Sequence, residues 1–299
     1  MDFLHKCSAV LFLLSSYTVH ASDVPSTNPG IAFVHGTNDH RTDADGGYWK
    51  RDFIDTVALG QKDPSNTFVV HCDFSHYMWK DEAAGCVTEQ LLNFIKEKSL
   101  TSLTVYAHSD GGNVMRWILS NPTYDEQNFE LAQKITKVVA IAPSSGGTPL
   151  ADEVSNGGTF EAGVGWLLGY KTSAVKQQRI GDMALFNNEI LFASENRPSL
   201  YTPFKVIVGS DVTASPINSN SYCNGYWLNA ALKITKSYLD TCADGFLTCQ
   251  SQATAGDVWF YDVEKTDNYV TLSHNQSRHS CSGLERILKD DLFQSGEKA

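Results

Sequence analysis

In the run Ala107-His108-Ser109-Asp110-Gly111-Gly112 a serine stands among small residues at the end of an apolar stretch, Leu103-Thr104-Val105-Tyr106. The segment that follows, Asn113-Val114-Met115-Arg116-Trp117-Ile118-Leu119, is compatible with a helix. A strand that turns this abruptly into a helix leaves the serine hydroxyl projecting alone, as in a nucleophile elbow. The chemistry such a hydroxyl supports is attack on an electrophilic carbon to form a covalent intermediate. Small residues are needed two before and two after the serine, because the backbone passes close to itself there. Gly111 meets that need, and Ala107 stands where glycine is the commoner choice.

A serine nucleophile needs a base, an acid to orient the base, and donors for the developing oxyanion. The strand-like run Ile31-Ala32-Phe33-Val34-His35-Gly36-Thr37 ends in a glycine that permits close backbone approach. It offers the Thr37 amide as one donor, and the Asp110 amide, just after the nucleophile, is the second. Two aspartates compete for the acid. Asp244 opens Asp244-Gly245-Phe246-Leu247, and Asp211 directly follows the strand-like Val206-Ile207-Val208-Gly209-Ser210. With the order serine, acid, histidine, only His274 and His279 follow Asp244.

The stretch Val138 to Asp152 contains Gly147-Thr148-Pro149-Leu150-Ala151-Asp152. It resembles the segment after the nucleophile in secreted lipases of the α/β-hydrolase superfamily, particularly bacterial triacylglycerol lipases. Ser144-Ser145-Gly146 departs from the proline–histidine pattern usual there. The resemblance runs from Ile31 to about Arg278 and is carried by separate motifs. It implies Asp244 as the acid, with Cys249 nearby also in keeping, and His274 as the base at the end of Asn268-Tyr269-Val270-Thr271-Leu272-Ser273. It leaves Asp211 as a loop carboxylate and His279 as a surface histidine. The implied activity is hydrolysis of carboxylic esters, lipid esters included, through an acyl-enzyme on Ser109 and with no cofactor. A thioesterase or amide-cleaving enzyme shares that chemistry, and a non-catalytic binding protein of the same fold is the reading from another class.

These residues need a frame. Six strand-like runs, Ile31–His35, Thr67–His71, Leu103–Ala107, Lys137–Ile141, Lys205–Val208 and Val258–Val263, alternate with helix-like ones. That is the pattern of a mainly parallel central sheet with helices on both faces. Val87, Leu91, Phe94 and Ile95 recur at helical spacing and predict a helix over Glu82–Lys98; another is expected over Asp125–Ile135. Residues 22–299 are read as one α/β domain with a cap insertion over about 151–203. Its apolar Phe160–Tyr170 segment, with Trp166, Leu167 and Leu168, would either line or cover the acyl site or pack against the core.

Residues 1–21 have the plan of a secretory signal: Lys6, an apolar centre over Ala9–Leu14, and Val19-His20-Ala21 before the cut. Outside that segment lie six of the seven cysteines. An even number in an exported chain favours disulfides, and local spacing suggests Cys72–Cys86, Cys242–Cys249 and Cys223–Cys281. A net charge of −11 without a basic cluster argues against nucleic acid and anionic membranes as partners. Small-molecule or lipid esters remain, and neutral lipid surfaces stay open. His71, Cys72, Asp73 and His76 match no standard metal spacing, and Asp43-Ala44-Asp45-Gly46 lacks the closing glutamate of a calcium loop. No metal is assigned. Asn275-Gln276-Ser277 is a glycosylation sequon beside the candidate histidine.

Overall fold

Six short apolar segments pair side by side, all parallel, in the order β3-β1-β5-β6-β7-β8. They are β1 (Pro29–Val34), β3 (Thr67–Val69), β5 (Ser102–His108), β6 (Ile135–Ile141), β7 (Phe204–Val208) and β8 (Asp257–Tyr261). β2 (Asn38–Asp39) and β4 (Asp73–Phe74) form a separate antiparallel pair. The structure is a computed structural model that describes residues 27–155, 172–213, 223 and 225–296. Each expected strand falls on an observed one, shifted at its ends by a few residues.

Successive side chains of a strand point to opposite faces, and the sheet buries both. Val105, Ala107, Val138 and Ala140 enter one core cluster, and Tyr106, Val139 and Ile141 enter another. The first cluster is closed by α2 (Cys86–Lys98), α3 (Gly111–Ser120) and α4 (Glu126–Lys134). The second is closed by α1 (Arg51–Ala58) and the helix Leu284–Gly296, through Phe53, Ile54, Val57, Leu284, Leu288 and Leu292. This covering on both faces is why the strands read as near-continuous apolar runs.

The predicted helix over Glu82–Lys98 begins as a π-helical turn, Asp81–Gly85, before α2 proper. α4 starts where Asp125 caps it, its carboxylate accepting the Gln127 amide at 2.8 Å. Trp166, Leu167 and Leu168 fall in residues 156–171, outside the described residues. Of the remainder of that stretch, Val175 joins a third cluster with Leu150, Val154, Leu232, Phe246 and Leu247, while Met183 and Leu191 join the main core. The three disulfides are Cys72–Cys86, Cys242–Cys249 and Cys223–Cys281, the pairs that spacing suggested. Among the described residues no helix is long and apolar enough to cross a membrane.

Candidate active site

β5 runs straight into α3, and Ser109 occupies the turn between them with φ of +56°. That left-handed conformation is costly for a residue with a Cβ and persists only where the surroundings enforce it. Here the Ser109 amide donates to the Ile141 carbonyl at 3.1 Å, and the Gly112 amide returns to the Ser109 carbonyl at 3.1 Å. The demand for small neighbours is visible in the contacts. A Cβ on Gly111 would lie 2.2 Å from the His35 carbonyl oxygen, and one on Gly36 would lie 2.8 Å from the Ser109 Cβ. The end of β1 therefore lies directly against the elbow and brings Thr37 to it. Among the described residues, neither the Thr37 amide nor the Asp110 amide donates a hydrogen bond within the chain.

The three side chains singled out in sequence form a continuous hydrogen-bonded series. Ser109 Oγ lies 3.0 Å from His274 Nε2, and His274 Nδ1 lies 2.7 Å from Asp244 Oδ2. An ionised Asp244 can only accept, so Nδ1 carries the ring proton and Nε2 is free to accept from the serine hydroxyl. Asp244 is fully buried, and its Oδ1 accepts the Phe246 and Leu247 amides at 2.9 and 2.7 Å. The His274 amide also donates to the Asp244 carbonyl at 2.9 Å, locking the acid loop to the histidine loop. The Cys242–Cys249 bridge closes the short loop that carries Asp244, and the Cys249 amide meets the Cys242 carbonyl at 2.9 Å inside it.

Asp211 is elsewhere. It is partly exposed and pairs with Lys236 and Lys233, which hold its carboxyl below the usual range. The expected surface histidine, His279, is instead buried at 4% exposure, and burial pushes its pKa down to about 3. The sequence around it, Arg278 and Ser280, gives it a polar neighbourhood, but the fold buries the His279 ring while Ser280 and Cys281 beside it stay at least partly exposed.

Several supporting residues carry no sequence signal of their own. His108 is buried and neutral: its Nε2 donates to the His274 carbonyl at 3.0 Å, and its Nδ1 accepts the Tyr48 hydroxyl at 2.5 Å. Asp262 is fully buried and accepts the Ser210 and Leu272 amides at 2.8 and 2.6 Å, tying the end of β7 to the histidine loop. Gln177 and Gln178, also buried, reach the two residues with free amides. Gln177 Nε2 donates to Asp110 Oδ2 at 2.9 Å, and Gln178 Nε2 donates to Thr37 Oγ1 at 2.8 Å.

Burial sets the ionisation of this region and hence a pH dependence of stability. Desolvation lowers the pKa of His35 to about 3, as for His279, and pushes His108 down as well. Their folded pKa lies below the unfolded one, so they favour the folded state above about pH 6.5 and withdraw that support as pH falls toward 3. Asp110 is opposite: burial raises its pKa to about 6, so its contribution is full in acid and fades as pH rises through 6. Burial raises Asp262 and Glu285 as well, but the three histidines carry the larger shifts. The melting temperature should fall steadily from pH 7 to pH 4, and His279→Gln should flatten that slope; a flat profile in the native protein would contradict the assignment of neutral buried histidines.

Ser109, His274, Thr37, Leu232, Phe246 and Arg278 are among the residues around one cavity of about 180 Å³. No protein-family model matches the sequence, and a search of curated proteins finds none similar. Among solved structures, the mature form of lipase BlEst2 from Bacillus licheniformis superposes with a TM-score of 0.60 at 15% identity, over 91% of each chain. Its propeptide form gives 0.57 at 17% identity, over 84% of this chain and 47% of that one, about half of its length. The chain has the α/β-hydrolase fold. In this hydrolase fold Ser109, Asp244 and His274 lie on segments that follow β5, β7 and β8. Such carboxyl ends of parallel strands are where open α/β sheets bind ligands.

Proposed function

We propose that this protein is a serine hydrolase that cleaves carboxylic esters, of small molecules or lipids, through an acyl-enzyme on Ser109. The observation that carries the reading is the unbroken series Ser109 Oγ, His274, Asp244 at 3.0 and 2.7 Å, ending at a buried carboxylate. His274 Nε2 takes the hydroxyl proton as Ser109 Oγ attacks the ester carbonyl. Asp244 holds the imidazole in the tautomer that can accept it and stabilises the imidazolium. The Thr37 and Asp110 amides receive the oxyanion. His274 then protonates the leaving alcohol, and water, activated by the same histidine, releases the acid. Residues 1–21 act as a secretory signal in this reading, and the three disulfides suit an oxidising, extracellular setting. The residues of 151–203 outside the core act as the cap, and contact with neutral lipid surfaces is transient.

A fluorophosphonate probe should label the protein at one site and fail to label Ser109→Ala. A chain-length series of p-nitrophenyl esters then gives the acyl preference. Absence of both labelling and turnover would end the proposal. Gln177 and Gln178 act as positioning residues for the oxyanion donors. Losing a donor outright costs about 10²–10³ in kcat, so Gln177→Ala and Gln178→Ala, which only loosen one, should each cost roughly tenfold in kcat with KM little changed. A change confined to KM, or to thermal stability alone, would remove the positioning role.

A further inference from the structure

Arg278 is on the wall of the same cavity as Ser109 and His274, and it is held in an unusual way. Its guanidinium lies 4.2 Å over the Tyr48 ring. Nη1 donates to the Tyr48 carbonyl, and Nη2 donates to Asn275 Oδ1 at 2.8 Å. Both acceptors are neutral. Arg41, Arg51, Arg179 and Arg286 each pair with a carboxylate, whereas Arg278 has none within ion-pair distance among the described residues. Arg116 also lacks a carboxylate, but it is fully buried beside the Phe192 carbonyl.

A guanidinium has five N–H donors, so Arg278 keeps three without a partner among the described residues. Burial lowers its pKa, and the more distant charge of Asp43 offsets only part of that. A partly buried cation with no carboxylate within ion-pair distance among the described residues gains from an anion that reaches it. Across the cavity Leu228, Leu232 and Phe246 supply an apolar wall. A cavity of about 180 Å³ lies below the roughly 300 Å³ at which pockets for drug-sized ligands begin. In a chain whose net charge is −11, a lone cation beside the nucleophile selects for a ligand of opposite sign.

We infer that the cavity accepts a short ester bearing an anionic group, a carboxylate or a phosphate, which the free N–H donors of Arg278 receive while the ester carbonyl meets Ser109. This extends the ester-hydrolase reading and rests on it. The planar fork of a guanidinium suits both oxyanions in bidentate fashion, and the anion can enter on the acyl or the alcohol side of the ester.

Two substrate pairs separate those sources. One is a 4-nitrophenyl adipate with a free terminal carboxylate against its methyl-capped form; the other is monobutyrylglycerol phosphate against monobutyrylglycerol. In the full chain the anionic member of one pair should exceed its neutral partner about tenfold or more in kcat/KM, as a charge-assisted hydrogen bond allows. Arg278→Gln should bring that ratio to about one, and Arg278→Lys should restore part of it, which a merely structural role for the side chain would not do. A ratio near one in both pairs, or a ratio that Arg278→Gln leaves in place, overturns the inference. Calorimetric binding of glycerol 3-phosphate and monomethyl adipate to Ser109→Ala reads the site without turnover, and it should vanish when Arg278→Gln is added. If none of the four esters is hydrolysed but Ser109→Ala still binds either anion, the hydrolase reading falls and the anion site stands. If neutral esters are hydrolysed but no anion binds and no ratio appears, the anion site falls and the hydrolase reading stands.

Discussion

Ser109→Ala should lower ester turnover by about 10⁴-fold or more, and leave the melting temperature within a few degrees of the native value. The large loss follows from the geometry. The hydroxyl is the group at 3.0 Å from His274 Nε2, and among the described residues no other side-chain hydroxyl or thiol bonds to that nitrogen. The small structural effect follows from the same place. The strain at φ +56° belongs to the backbone and the Cβ, both of which alanine keeps, and only one neutral hydrogen bond is lost. Members of such a series act as a unit, so His274→Ala should be nearly as severe. His279→Ala, by contrast, should move stability more than rate, because that ring is buried and away from Ser109. Steady-state kinetics on a p-nitrophenyl ester with thermal melts on each variant check all three. Retained activity in Ser109→Ala would refute the nucleophile; loss in His279→Ala without loss in His274→Ala would reverse the choice of base.

Asp244→Asn should be the second large effect, up to about 10⁴-fold in kcat, through loss of the productive histidine tautomer. Oδ1 is committed to the Phe246 and Leu247 amides, so it must remain an oxygen. The amide nitrogen of asparagine then falls at the position of Oδ2 and faces His274 Nδ1 as a donor. The ring can satisfy it only by carrying its proton on Nε2, which blocks acceptance from Ser109. Asp211→Asn makes the contrast. That carboxylate is partly exposed and engages two lysines, an arrangement worth at most about 1 kcal/mol, so kcat should change by no more than about twofold. Equal losses at the two sites would leave neither as the acid.

The comparison of sequence with structure turns on the range of the interactions involved. The elbow was legible because its requirement is local: a strand, a serine, two small neighbours and a helix within about a dozen residues. The sheet was legible because burial on both faces leaves unbroken apolar runs. Asp244 against Asp211 was not legible from the residues themselves. Both follow apolar or turn-forming segments, and the deciding contacts join residue 244 to residue 274 across thirty positions. The burial of His279 was not legible either, since its chain neighbours Arg278 and Ser280 are polar. Asp262, Gln177, Gln178 and Arg278 are polar residues in ordinary local settings. Their importance lies entirely in what the fold sets against them. Helices such as α1 escaped notice because only Phe53, Ile54, Val57 and Ala58 of its eight residues are buried, too short a stripe to stand out.

The loop that carries Asp244 is closed by a bridge between cysteines only seven positions apart. Such a small ring contributes less to global stability than a long one, roughly 2.5 kcal/mol, since the benefit of a cross-link grows with the length it closes. Its effect falls on the aspartate within it, whose carboxylate must stay aligned with His274 to a few tenths of an ångström. In the proposed reading, turnover then depends on the redox state of the surroundings as well as on folding. A chain with free thiols at 242 and 249 should keep its sheet and its nucleophile but turn over ester poorly until it meets an oxidising medium. Mild reduction followed by alkylation should show this as a fall in kcat while the far-ultraviolet dichroism hardly changes. Synthesis in a thiol-rich compartment would then yield a silent hydrolase, harmless to the lipids and esters of the cell that makes it.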